Sequence, residues 1–170
     1  VDDRGNTGTG GPYSVSETLY VEVLPVNDTP VVSGPGSAYS FTEQGSLNIH
    51  GTGFSVADVD DNGGTMTATF TVGEGRVLID VGDSAVSVTR GNSTDTVVFT
   101  GTKSQINALL SGASTGTIAY LHDQTAASDA PSTSTTITLN VNDQGNTGSD
   151  PGLTADGTSE DDSASQTINI

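Results

Sequence analysis

Thr65-Met66-Thr67-Ala68-Thr69-Phe70-Thr71-Val72 decides the fold. Met66, Ala68, Phe70 and Val72 fall on one face of an extended chain, and the four threonines fall on the other. A period of two is that of a strand with one buried and one wet face. The same alternation recurs outward in both directions, in Leu19-Tyr20-Val21-Glu22-Val23, Val77-Ile79-Val81, Val86-Val88, Val97-Phe99, Ile118-Tyr120 and Ile137-Leu139-Val141. Turn-forming residues separate these runs: Asn62-Gly63-Gly64, Gly73-Glu74-Gly75, Arg90-Gly91-Asn92 and Ser111-Gly112. Short β-branched strands at a spacing of roughly 8–12 residues, parted by Gly-rich turns, predict an all-β antiparallel sandwich. One short helix is expected after Thr102-Lys103-Ser104-Gln105, which has capping-box spacing, with Ile106, Leu109 and Leu110 following at helical intervals. It is expected to pack over an end of the sandwich and to carry no site.

The chain also repeats itself. Val1-Asp2-Asp3-Arg4-Gly5-Asn6-Thr7-Gly8 returns 140 residues later as Val141-Asn142-Asp143-Gln144-Gly145-Asn146-Thr147-Gly148, identical at six of eight positions. Each copy leads through a polar loop to an alternating strand, Ser16-Glu17-Thr18-Leu19-Tyr20-Val21 in one and Ser165-Gln166-Thr167-Ile168-Asn169-Ile170 in the other. This is the signature of a tandem array of large modules. It divides the chain into residues 1–24, the tail of a preceding repeat, a linker at 25–30, and one repeat at 31–170 containing a long acidic loop at 142–162. The tail strand is expected to pair with the chain's own sheet, competing for the slot of residues 166–170, or to exchange onto the edge of a neighbouring molecule.

Composition narrows the partners. The chain carries 21 Asp and Glu against 4 Lys and Arg, for a net charge of −17. Nucleic-acid affinity rests on cationic neutralisation of phosphate, so such a chain repels nucleic acid. An anionic membrane surface repels it too, and no apolar run approaches the roughly 18 residues of a spanning helix. The natural small partner is a cation. A second reading of the acidity is as a solubility device or an adaptation to salt. With no cysteine in the sequence, disulfide frameworks and thiolate chemistry are excluded.

Two clusters concentrate the chemistry: Leu24-Pro25-Val26-Asn27-Asp28-Thr29-Pro30, and Phe54-Ser55-Val56-Ala57-Asp58-Val59-Asp60-Asp61-Asn62-Gly63-Gly64. Asp58 and Asp60 would point to opposite sides of a regular strand, but at a strand end turning into a loop both can converge on one ion. Calcium takes about six to eight oxygens in loose geometry from carboxylates, amides and carbonyls. The chain is rich in these and lacks the thiolates and paired histidines that zinc or copper favours. Against this stands turn chemistry, because Asp and Asn in such loops bond their own backbone. The run Glu160-Asp161-Asp162 reads as a solvated loop edge. His50 and His122 read as isolated structural residues.

Val26-Asn27-Asp28-Thr29-Pro30-Val31 resembles the inter-domain linker of cadherins, and Val56-Ala57-Asp58-Val59-Asp60 resembles the cadherin Asp-x-Asp strand end. With Phe41-Thr42-Glu43 and Asn140-Val141-Asn142-Asp143, the combination resembles the bacterial cadherin-like tandem repeats of giant RTX-type surface adhesins. Gly116-Thr117-Ile118-Ala119-Tyr120-Leu121-His122-Asp123, followed by Asp129, is similar to the proteoglycan-type repeat related to that group. The linker motif is shorter than in animal cadherins and the Asp-Arg-Glu triplet is missing, so fewer ions are expected. The resemblance implies a Greek-key, cadherin/Ig-like sandwich with calcium where one repeat meets the next. Its implied ligands are Asn27, Asp28, Asp58 and Asp60, then Asp143 and its earlier equivalent Asp3, then Glu43. It further implies an extracellular module on a bacterial surface that rigidifies an adhesin in attachment or biofilm, with neighbouring repeats of the same chain as partners.

A polysaccharide- or other ligand-binding module of a secreted protein is the alternative, and it predicts exposed aromatic platforms. An enzyme is not expected. No Gly-x-Ser-x-Gly surrounds a serine, and Gly73-Glu74-Gly75 lacks the strand-to-helix crossover of a phosphate cradle.

Overall fold

A computed structural model describes residues 1, 2, 4, 8–24, 26–40, 42, 45–122, 133–145 and 161–169. Eleven strands and one helix are assigned: β1 Val31–Ser33, β2 Tyr39–Ser40, β3 Ser46–Asn48, β4 Ser55–Ala57, β5 Thr65–Val72, β6 Arg76–Asp80, β7 Ser87–Arg90, β8 Thr96–Thr102, α1 Lys103–Ser111, β9 Thr117–Leu121, β10 Ser134–Asn142 and β11 Asp161–Asn169. The fold is all-β and sandwich-like with a single helix, as the alternation implies.

β5 sits at the centre of a six-stranded sheet ordered β2-β11-β10-β5-β8-β7. Its register sets Phe70 opposite Leu139 on one side and Val97 on the other, with Ala68 between Val141 and Phe99. A three-stranded sheet, β3-β9-β6, supplies Val77, Ile79, Ile118 and Tyr120 to the same core. Met66, Ala68 and Phe70 are completely buried and Val72 nearly so, while the threonines between them keep partial or full contact with water. Phe70 stacks on Phe99 at 5.9 Å between ring centroids, and Phe54 meets its edge at 5.6 Å. Offset and edge-on ring pairs of this kind add to the gain from burial alone.

α1 starts where the sequence places it. Thr102 Oγ1 accepts from Gln105 N, and Gln105 Oε1 accepts from Thr102 N, which completes the capping box. Gly112 ends it at φ 73°, a left-handed conformation that glycine adopts at little cost. Ile106, Leu109 and Leu110 turn inward and close the core beside β4 and β8. Among the described residues no helix is long and apolar enough to cross a membrane.

Three details differ from the sequence-based expectation. The large sheet is mixed, because β11 pairs with β2 in parallel while its other pairings are antiparallel. Asp161 and Asp162 open β11 opposite Asn142 and Val141 rather than edging a loop. Long-range pairing with β10 overrides the local polarity that suggested a loop.

The third difference concerns residues 16–24, which are exposed and join no strand of the described sheets. The slot beside β10 is filled by β11, so among the described residues the tail strand does not pair with the chain's own sheet. Just upstream, Asp2 and Ser14 form an antiparallel bridge, and Val15 N donates to Val1 O at 2.9 Å. In the second copy of the motif the equivalent residues Val141 and Asn142 pair with Asp162 and Asp161. In both copies the first two residues of the motif thus pair antiparallel with a later segment.

Candidate metal centre

Two strand ends and a loop meet at one edge of the sandwich. β1 and β4 are antiparallel, with Val31 opposite Ala57. Continuing that register past both strand ends brings Asp28 opposite Asp60, and Asp28 N donates to Asp60 Oδ2 at 3.1 Å. Asp58 is the first residue after β4, and its Oδ1 accepts from Asp60 N at 3.2 Å. β10 ends at Asn142, which delivers Asp143 to the same edge. Asp143 Oδ2 accepts from Asn27 Nδ2 at 3.0 Å, and its Oδ1 accepts from Gly145 N at 3.0 Å.

Asn27 and Asp143 are each only 1% exposed although 116 residues separate them. A buried carboxylate without partners is costly, and the Asn27 amide and the Gly145 N–H offset that cost. Asp28 is exposed, and Asp58 and Asp60 are half-buried.

The electrostatics follow from this crowding. Burial is the largest influence on Asp58, which also shares a hydrogen bond with the Asp60 carboxyl and feels the negative charges of Asp60 and Asp143. Together these outweigh the Asp60 N–H donor and push the Asp58 carboxyl up to about 6. Lys103, the chain's single lysine, reaches this edge from the first turn of α1. Its Nζ donates to Asp58 O at 2.9 Å and pairs with Asp61 Oδ2 at 3.1 Å. The ammonium thus answers Asp61 and a backbone carbonyl, while the charges around Asp58 still repel one another. Asn107, one helical turn further on, holds β4 in place by bonding both Val56 N and Val56 O, at 2.9 and 2.8 Å.

The structure therefore brings five of the seven sequence-predicted residues together: Asn27, Asp28, Asp58, Asp60 and Asp143. Asp3 and Glu43 lie outside the described residues. Among the described residues, however, no three Asp, Glu or His side chains form a ready-made metal-binding group. The carboxylates of Asp58, Asp60 and Asp143 each turn at least one oxygen toward an N–H donor, which opposes the convergence that an ion imposes. The cluster fits a hard cation by ligand type and charge, and side-chain rotation would have to complete the coordination.

Lys103 and Asn107 were not apparent from the sequence, and Asp61 was apparent only as part of the second cluster. The helix was expected to stand apart from any site, yet its first two turns brace this one. The one available signal was a lone lysine at the start of a capped helix.

The histidines lie elsewhere. His50 Nδ1 accepts from Ile118 N at 3.4 Å, and buried His122 Nε2 stands 3.3 Å from Glu74 Oε1. The chain matches no protein-family model and no curated protein sequence.

Proposed function

We propose that this chain is a calcium-binding structural and adhesive module, one link in an extracellular tandem array of the bacterial cadherin-like kind. The single observation that carries this reading is the meeting of Asn27 and Asp28 from the linker with Asp58 and Asp60 from the end of β4 and Asp143 from the end of β10. Groups from three separate parts of the chain crowd like charges at the junction between residues 1–24 and the sandwich. Carboxylates at this spacing repel without a cation, and a divalent ion converts the repulsion into cohesion. The junction is then limp without calcium and stiff with it. The net charge of −17, the absence of cysteine and the repeated motif support the same reading, as does the antiparallel bridge between Asp2 and Ser14.

The polysaccharide alternative draws less support. Phe54, Phe70, Phe99 and Tyr120 are consumed by the core, and the exposed Tyr13 and Tyr20 lie on no strand of the described sheets.

Thermal melts in calcium, with magnesium as control, test the proposal. Free calcium at about a hundred times its dissociation constant adds about 2.7 kcal/mol of stability. Asp58→Asn with Asp60→Asn removes the gain. A melting temperature that calcium leaves no higher than magnesium does contradicts the proposal.

A further inference from the structure

Asp61-Asn62-Gly63-Gly64 turns the chain from the carboxylate edge back into β5, and it holds the only Asn-Gly pair in the sequence. Two hydrogen bonds shape it. Gly63 N donates to Asp61 Oδ1 at 3.0 Å, and Gly64 N donates to Asn62 Oδ1 at 3.0 Å. The second bond folds the Asn62 side chain back over its own backbone. Asn62 is exposed, and Gly63 has φ +82° with nothing within 4 Å of the place a Cβ would take.

From this arrangement we infer that Asn62 is a self-modification site, at which the loop converts the side-chain amide to a carboxylate through a cyclic imide. The Gly63 nitrogen attacks Asn62 Cγ. An N–Cγ bond forms, the Cγ–Nδ2 bond breaks, and the Gly63 N–H proton passes by way of Asp61 to the departing nitrogen, which leaves as ammonia. Water then opens the ring to an aspartyl or isoaspartyl residue. A base and an oxyanion donor for the step are already in place. A base must lie within about 2.6–3.2 Å of the proton-bearing atom, and Asp61 Oδ1 does. Negative charge develops on Asn62 Oδ1, and the Gly64 N–H lies at the distance of an oxyanion donor. Lys103 Nζ, 3.1 Å from Asp61 Oδ2, holds that carboxylate in position. The missing side chain at Gly63 leaves the attack unobstructed.

Asn142 makes the same local bond, accepting from Gln144 N at 2.9 Å, but is followed by Asp143 rather than glycine, and two other asparagines are held differently. Asn92 bonds Ile79 N and O, and Asn107 bonds Val56 N and O, so each side-chain amide is engaged at both ends with a distant strand. Modification at Asn62 adds a negative charge two residues from Asp60 and, in the isoaspartyl product, a methylene to the loop backbone. On the junction reading this changes the charge and the backbone beside a calcium site with age.

The inference itself does not depend on calcium, so the experiment is run in chelator. The folded protein and a peptide of residues 57–66 are aged side by side near neutral pH, and the tryptic fragment containing Asn62 is followed by mass spectrometry. The expected result is conversion in the folded chain at least as fast as in the peptide. Asp61→Ala is expected to slow the folded protein by about tenfold or more, within the range of a positioned base, and to affect the peptide little. Asn62→Gln abolishes the mass gain in that fragment. Slower conversion in the folded protein than in the peptide overturns the inference, and so does a folded rate that Asp61→Ala leaves unchanged.

Discussion

Ile168 and Leu19 belong to two strands written in the same pattern, each following a copy of the same eight-residue motif. Ile168 is fully buried between β10 and the parallel strand β2, whereas Leu19 is 84% exposed. Upstream, the motif's first two residues pair with residues beyond its loop in both copies, Val1 and Asp2 with Val15 and Ser14 and Val141 and Asn142 with Asp162 and Asp161. The difference lies only in what each strand finds beside it. β11 finds the whole length of β10, and residues 16–24 find no strand among the described residues. Alternation specifies which face of a strand is apolar, and the partner decides whether that face is buried.

Substituting the matched pair gives the largest contrast. Ile168→Ala removes buried methyl groups from a closed core and is expected to cost about 2–5 kcal/mol. Leu19→Ala is expected to stay within about 0.5 kcal/mol, as for an exposed position. Denaturant unfolding of both variants checks this, and a comparable loss at Leu19 would break the comparison by revealing a hidden partner.

A smaller effect is expected where the second copy is tied to the linker. Asn27→Ala deletes the buried bond to Asp143 Oδ2 and is expected to cost about 1–3 kcal/mol in chelator. Thr102→Ala lies apart from both copies of the motif and calibrates the scale. Loss of its helix cap is expected to cost about 1 kcal/mol with or without calcium.

The subtlest test is pH. Asp58 in the folded chain is held above its ordinary value of 3.8, at about 6. The folded state therefore binds its proton more tightly than the unfolded chain does. Its contribution to stability is complete below the unfolded value and is lost as pH rises through about 6. In chelator, stability is expected to rise as pH is lowered from 7 toward 4.5, and Asp58→Asn flattens that slope. Saturating calcium is expected to reverse its sign, because protons then compete with the ion. Melting temperatures across this pH range check both slopes.

Much of the fold was legible because local rules coincided with the final packing. Thr65–Val72 alternates strictly and became the central strand, and the Thr102 and Gln105 side chains formed their capping box. Asp161 and Asp162 were misread because polarity said loop while pairing with β10 made a strand. Leu19–Val23 has an equally good strand pattern but joins no strand among the described residues, since such a pattern carries no information about which partner lies beside it. At the candidate site, Asp28 and Asp60 were legible as members of two acidic motifs, and the register of β1 with β4 then brings them together. Lys103 was not, because its approach to Asp58 and Asp61 depends on how α1 lies across the end of the sandwich. Short-range pattern cannot encode that placement.

The central claim is that Asn27, Asp28, Asp58, Asp60 and Asp143 share a calcium ion, and a crystal structure grown in calcium tests it most directly. The account predicts an ion at this edge with oxygens from at least three of these residues at about 2.3–2.6 Å. The same side chains still bonded to their N–H donors, with only water between them, would contradict it.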